Sequence, residues 1–267
     1  MAKGVITDAL TLFPNETYSG DSGTETNPYC IEDLEDFLAI NNLTDETCYL
    51  LLVNNIDFND HPEYCYGINV TELIKKTTYY LLGNNKEIRN VIVKYKQTVS
   101  NFALFWFAEI RDLKFVNFVN LGSSVSPFYA KLVNCSISAY FSKPMAAGCR
   151  LNYEDFWRCS LNLKGIVNTS LTLGNLHYSH VNLDIDFIYS SSSTGQFTCI
   201  NCTLDNSYIT GKCLDNSESS SRIEFIKSLA NWTNSYIAIT CKNSSPSWSL
   251  KKYRNSKFRL FCRSNSW

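Results

Sequence analysis

A six-residue pattern recurs along this chain, and it leaves few folds open. Each copy holds an apolar residue, two variable ones, an apolar residue or Cys, one variable residue and an aliphatic. It reads Ile88-Arg89-Asn90-Val91-Ile92-Val93, Leu132-Val133-Asn134-Cys135-Ser136-Ile137, Phe156-Trp157-Arg158-Cys159-Ser160-Leu161, Tyr178-Ser179-His180-Val181-Asn182-Leu183 and Cys199-Ile200-Asn201-Cys202-Thr203-Leu204. Phe115-Val116-Asn117-Phe118 begins the same way, with Asn120 in place of the aliphatic. With the fourth position as anchor (Val91, Phe118, Cys135, Cys159, Val181, Cys202), the spacing runs from about 17 to 27 residues. Alternation of period two marks strands. A repeat near this length marks units that cannot bury their own apolar face and must stack on their neighbours. Sandwiches space their strands at roughly 8–12 residues through hairpin turns, and the chain has no Asn-Gly or Asp-Gly dipeptide to make such turns. The pattern lacks the dense leucines of leucine-rich repeats. It predicts an all-β, single-stranded right-handed parallel β-helix.

The turn chemistry agrees. Asn recurs in and beside the strands, at Asn54, Asn55, Asn84, Asn85, Asn117, Asn134 and Asn206 among others. Its side chain bonds local backbone and tolerates left-handed geometry, and equivalent Asn residues of stacked coils are expected to form ladders. Sequons such as Asn134-Cys135-Ser136 and Asn231-Trp232-Thr233 arise from the same composition. Between Pro28 and Asn42, apolar residues fall at helical spacing behind Glu32, Asp33 and Glu35. A short helix is expected there, closing the first coil. From about Ser244, bases interleave with Trp248, Tyr253, Phe258, Leu260 and Phe261, a pattern that predicts a closing cap. The whole of 1–267 reads as one domain: a lead segment and capping helix over 1–48, coils over 49–241 and a basic cap over 242–267.

Hydrophobic residues make up 45% and charged residues 18% of the 267, enough for a substantial core. A formal net charge of −1 gives no general attraction to nucleic acid or to an anionic membrane, and no apolar run approaches the roughly 20 residues that span a bilayer. The start, Met1-Ala2-Lys3-Gly4-Val5, lacks the apolar run of a secretory signal, so assembly in a cytoplasm is expected. Charge is unevenly placed. Lys3 is the only base before Glu72, and no acid follows Glu224. The basic tail (Lys251, Lys252, Arg254, Lys257, Arg259, Arg263) is the candidate docking surface.

Eleven cysteines, several within apolar alternating runs, read as packed thiols. The one CxxC, Cys199 and Cys202, has only Cys213, His177 and His180 near it in sequence, without a second tight pair, so no metal and no cofactor is expected. For catalysis, Asp184 and Asp186 share one strand face at i and i+2, roughly 7 Å apart. That spacing is compatible with an inverting carboxylate pair, and Asp205 is expected one coil on, beside them. The same three carboxylates are the candidates for a calcium ion. Alternating Asp and aliphatic residues also describe a plain solvated face. His61, His177 and His180 show no nucleophile motif beside them.

Two segments carry a resemblance. Gly20-Asp21-Ser22-Gly23-Thr24-Glu25-Thr26-Asn27-Pro28-Tyr29-Cys30-Ile31 precedes the helix, and Tyr49-Leu50-Leu51-Leu52-Val53-Asn54-Asn55-Ile56-Asp57-Phe58-Asn59-Asp60 follows it. This resembles the opening of pectin-lyase-like β-helix proteins, found among bacteriophage virion proteins and bacterial surface adhesins, with Asn55 where Asp is usual. Leu81-Leu82-Gly83-Asn84-Asn85-Lys86-Glu87-Ile88-Arg89-Asn90-Val91 is similar to a coil opening of the same family. The likeness covers about residues 20–240 and implies fold more than function. The Gly-His-Gly and Arg-x-Lys elements of its pectin hydrolases and the Arg-x-Pro-x-x-Arg of its pectate lyases are absent here. The start without a secretory signal and the many cysteines favour, within this family, a non-enzymatic virion component, such as a fibre, spike or decoration protein bound to other virion proteins, and the resemblance implies a trimer. A polysaccharide-cleaving enzyme and a bacterial adhesin are the alternatives.

Binding is expected on exposed aromatics. Most of the 16 Phe, 16 Tyr and 5 Trp serve the core, as in Phe102-Ala103-Leu104-Phe105-Trp106-Phe107. Tyr153, Trp157, Tyr178 and Tyr189 each lie beside a polar residue and are the candidates to stack on the sugar rings of a host-surface glycan. Tyr189 opens the predicted turn Tyr189-Ser190-Ser191-Ser192-Ser193-Thr194-Gly195.

Overall fold

The computed structural model describes residues 18, 22–40, 43–59, 68–69, 75–94, 103–120, 126–141, 149–152, 154–167, 171–187, 203–215, 232–242, 253–254 and 257–263. The chain forms a parallel β-helix. Its strands build a ten-stranded, an eleven-stranded and a two-stranded sheet, the last from Cys149–Arg150 and Leu171–Thr172, and the pairings within them are parallel. Each coil adds one strand to the first sheet, bends, and adds one to the second. Through the middle coils the first sheet holds Ala103–Arg111, Ser126–Val133, Asp155–Trp157 and Asn175–His177. The second holds Lys114–Asn120, Ser136–Phe141, Ser160–Val167, His180–Phe187, Tyr208–Asp215 and Tyr236–Lys242.

Inward residues form columns along the axis. In the second sheet Phe115, Ile137, Leu161, Val181, Ile209 and Ile237 are in register and buried. In the coils that follow the helix the filling is aromatic. Phe105 stacks on Phe128 at 5.4 Å and meets Phe115 at 5.1 Å and Phe37 at 6.1 Å. Phe37 belongs to the one described helix, Leu34–Ala39, which lies within the segment expected to cap the first coil. Asp33 caps it, accepting a 3.0 Å hydrogen bond from the Asp36 amide. Phe37 also touches Phe58 at 6.3 Å, so the helix plugs the open core.

The bend between the sheets explains the repeat and corrects the register expected for it. The corner residue is left-handed in every middle coil: Asp112, Asn134, Arg158, Tyr178, Asn206 and Asn234 have φ of 54°, 54°, 53°, 51°, 47° and 49°. The following residue is small or apolar and buried: Leu113, Cys135, Cys159, Ser179, Ser207, Ser235. Val181 therefore aligns with Leu161 rather than with Cys159. Phe118 aligns with Ala139, and with Val91 it follows a second corner made by Asn90 and Asn117. A slip of two residues keeps the same side chains facing inward, so alternation alone cannot detect it. Cys202 lies outside the described residues.

Corners bring backbone polar groups inside, and the small residues satisfy them. The Ser179 hydroxyl accepts from the Cys159 amide at 2.9 Å and donates to the His177 carbonyl at 2.9 Å. Ser207 accepts from the Ser179 amide at 3.0 Å, and Ser235 from the Ser207 amide at 3.2 Å. Outside, the expected Asn ladders are present: Asn117 donates to Asn90 at 2.7 Å, Asn90 to Asp57 at 2.7 Å, and Asn134 to Asp112 at 2.5 Å. Ser179→Ala leaves the Cys159 amide buried without its partner, and should cost about 1–3 kcal/mol in denaturant unfolding. Ser136→Ala, exposed beside the Asn134 corner two coils away, should cost less than about 0.5 kcal/mol.

Among the described residues Cys30, Cys48, Cys135, Cys159 and Cys213 are free thiols, and all of these five but Cys30 are buried.

Candidate functional site

The outer face of the first sheet carries the chemistry. On Ser126–Val133, Phe128, Ala130 and Leu132 point into the core, which leaves Tyr129, Lys131 and Val133 outside. Tyr129 is in register with Trp106, and Lys131 with Glu109. Two steps on one strand thus match three on the other, so Ala103–Arg111 bulges at Phe107 and Ala108. The extra residue turns Glu109 to the outside, and bulges of this kind re-aim side chains.

At the bulge lies a cleft of about 200 Å³, lined by Trp106, Phe107, Ala108, Tyr129, Lys131 and Glu154. The Trp106 and Tyr129 rings are 5.0 Å apart and tilted by 36°. The indole Nε1 of Trp106 is buried and makes no hydrogen bond. Behind the cleft, Glu109 is 8% exposed. It accepts from Arg111 Nε at 2.7 Å, contacts Arg111 Nη2, and pairs with Lys131 Nζ at 3.0 Å. Burial works to raise its pKa, but the hydrogen bonds from Arg111 and Lys131 outweigh it and hold the carboxyl below its ordinary value. A lowered folded pKa gives stability that is present above the unfolded value and is lost as pH falls through the folded one. Glu109→Gln should cost about 1–2 kcal/mol at pH 7, and melting curves of the two proteins should converge as pH drops below the ordinary glutamate range.

One coil further, Trp157 lies flat on His177, with centroids 4.2 Å apart and planes 11° apart. Tyr178, at the corner and 56% exposed, is 6.3 Å from Trp157. The imidazole has Asp155 Oδ1 at 4.0 Å on one side and Asp205 Oδ2 at 3.9 Å on the other. Asn175 donates to Asp155 and Asn206 to Asp205, both at 2.8 Å. The Trp157 Nε1 is also buried without a hydrogen bond.

The structure thus brings two of the sequence-predicted aromatics, Trp157 and Tyr178, onto one patch. It also puts Asp205 there, in register with His177 on the first sheet rather than beside Asp184 and Asp186. Those two share the outer face of His180–Phe187 on the second sheet. Asp184 stands in register between Lys164 and Lys212 and pairs with Lys212 Nζ at 3.4 Å; Asp186 stands between Ile166 and Leu214. His180 lies on that sheet too, stacked on Tyr208 at 4.1 Å, and burial pushes its pKa down. His177 and His180 therefore do not converge. Among the described residues no group of three or more His, Cys, Asp or Glu is arranged to hold a metal ion.

Tyr153, Tyr189, Lys251 and Lys252 lie outside the described residues, as do Cys199 and His61. Arg254 is on Tyr253–Arg254, and Lys257, Arg259 and Arg263 are on Lys257–Arg263, which pairs with Tyr236–Lys242 at the end of its sheet. Sequence reasoning missed Trp106, Tyr129, Glu109, Lys131 and His177. No helix among the described residues is long and apolar enough to cross a membrane.

No family model matches the chain, and no curated protein does. Among solved structures, one described as "a putative immunoglobulin A1 protease from Bacteroides ovatus" is similar, with a TM-score of 0.47, 14% identity, and coverage of 91% of this chain and 86% of that one. The chain is thus a parallel β-helix by its own strand pairing, with the aromatic cleft and the Trp157–His177 stack side by side on the first sheet.

Proposed function

We propose that this chain is a carbohydrate-binding parallel β-helix that acts without cleaving its ligand. The observation that carries the reading is the cleft at the bulge. It sets an aromatic pair, Trp106 and Tyr129, beside a lysine and the exposed Glu154. Sugar sites need this combination: apolar ring faces for the C–H side of a pyranose, and a few fixed polar groups for its hydroxyls. Asp184 is tied to Lys212 in a column of alternating charge, which fits a solvated sheet face better than an acid or base aimed at substrate.

The setting we propose is a bacteriophage virion, as a fibre, spike or decoration protein assembled in the host cytoplasm. It would form a homotrimer, dock on other virion proteins through its basic C-terminal end and contact a host-surface glycan. This rests on the sequence resemblance to pectin-lyase-like virion proteins. The test is to incubate the purified chain with bacterial surface polysaccharides and measure both retention and release of reducing ends. Retention without release supports the reading. Release that disappears in Asp184→Ala or Asp186→Ala replaces it with a depolymerase. Native mass in solution tests the trimer.

A further inference from the structure

We infer that a second sugar subsite lies over Val133, in a slot between Arg111 and the face of Trp157 turned away from His177. It takes one neutral pyranose ring of the oligosaccharide that fills the Trp106 cleft, and so it rests on the carbohydrate-binding reading above. Arg111, Val133 and Trp157 occupy one register column on three successive coils. Coils are about 4.8 Å apart, so the strands of Arg111 and Trp157 are separated by about 10 Å. A ring held in van der Waals contact on both faces needs about 3.5–4 Å on each side. One flat ring fits that spacing.

The column elsewhere shows why the slot is open. Trp157 has one face covered by His177 at 4.2 Å. In the column beside it, Tyr49 and Tyr80 close on each other at 4.6 Å. On the other side Trp157 is in register with Val133, whose side chain is too short to stack on the indole as His177 does.

Charge argues for a neutral ring. Glu109 holds both Arg111 and Lys131, and Asp155 stands near Trp157, so two carboxylates face two cations around the slot. A uronate or an amine would upset that balance. Lys131, two residues before Val133, also lines the cleft, and Tyr129 lies about 13 Å along the same strand. That distance exceeds one ring, so a ligand using both places is an oligosaccharide.

The test uses Val133→Phe in the full chain, which continues the aromatic column on Trp157 and fills the slot from an outward, half-buried position. Its melting temperature should be unchanged or raised; Val133→Met is the second filler should the phenylalanine disturb folding. The probes are neutral malto-, cello- and N-acetylated chito-oligosaccharides of two to six units, with oligogalacturonates alongside, all by calorimetry. Val133→Phe should weaken the longer neutral oligosaccharides by about tenfold, the loss of one ring stack, and leave disaccharides unchanged. Trp106→Ala should weaken both. Longer oligosaccharides that bind Val133→Phe and Val133→Met as they bind the wild type would overturn the slot and leave the cleft standing. Tighter binding of oligogalacturonates would overturn its neutral character. Failure of every probe to bind the wild type would overturn the slot together with the carbohydrate-binding reading.

Discussion

Gly211→Ala should destabilise the coils around it by about 3–5 kcal/mol, more than any single surface change in the molecule. Gly211 lies within Tyr208–Asp215 with φ of 132°, a conformation that L side chains rarely adopt. An added Cβ would stand 2.0 Å from the Leu183 carbonyl oxygen and 2.6 Å from its nitrogen. Both are backbone atoms of a paired strand whose Leu183 side chain is buried, so the neighbouring coil cannot step aside without leaving the core. Gly165 repeats the arrangement against Phe141, with φ of 116° and a Cβ only 2.1 Å from the Phe141 oxygen. A loss of this size lowers the melting temperature by about 6–15 °C in a chain of this length. Circular dichroism should show it, with Thr240→Ala, an exposed position on the next strand, as a control that stays within about 2 °C. A Gly211→Ala protein that melts with the wild type would mean that these coils do not approach so closely.

The fold was legible because one period carries it. Ser136–Phe141 shows the alternation plainly, with Ile137, Ala139 and Phe141 buried between exposed Ser136, Ser138 and Tyr140. What could not be read was register. Val181 and Cys159 look equivalent in sequence, yet they sit two positions apart in the coil, and a two-residue slip leaves the inward set unchanged. The true marker is the left-handed corner followed by a small buried residue. Arg158 and Tyr178 fill that corner without looking like turn residues.

Register also decided how much of the site could be seen. Trp157 and Tyr178 stood out as aromatics beside polar residues. His177 becomes visible only when Val133, Trp157, His177 and Asp205 are aligned as the residue before each corner. Asp205, close in sequence to a stretch of second-sheet strand, falls on the first sheet because its short strand precedes the bend. Trp106 was hidden in the run Phe102–Phe107, which reads as core throughout. The bulge that turns Glu109 outward depends on how two strands pair, and no local pattern records that.

Trp106→Ala should weaken carbohydrate binding by about 10- to 100-fold, because a half-buried indole at the centre of a cleft carries much of the affinity of such a site. The substitution removes the ring that faces Tyr129 at 5.0 Å, together with a buried N–H that has no partner. Stability should change little by comparison: the side chain lies on the outer face, and its buried N–H contributes no hydrogen bond to the fold. Trp106→Phe keeps a ring face of smaller area, so it should retain the preference among sugars while losing about three- to tenfold in affinity. Glu154→Gln, at the exposed rim, should cost less than either. Binding by Trp106→Ala within twofold of the wild type, in a protein with an unchanged melting curve, would remove the cleft as the site and with it the reason to read this face as one that binds sugar.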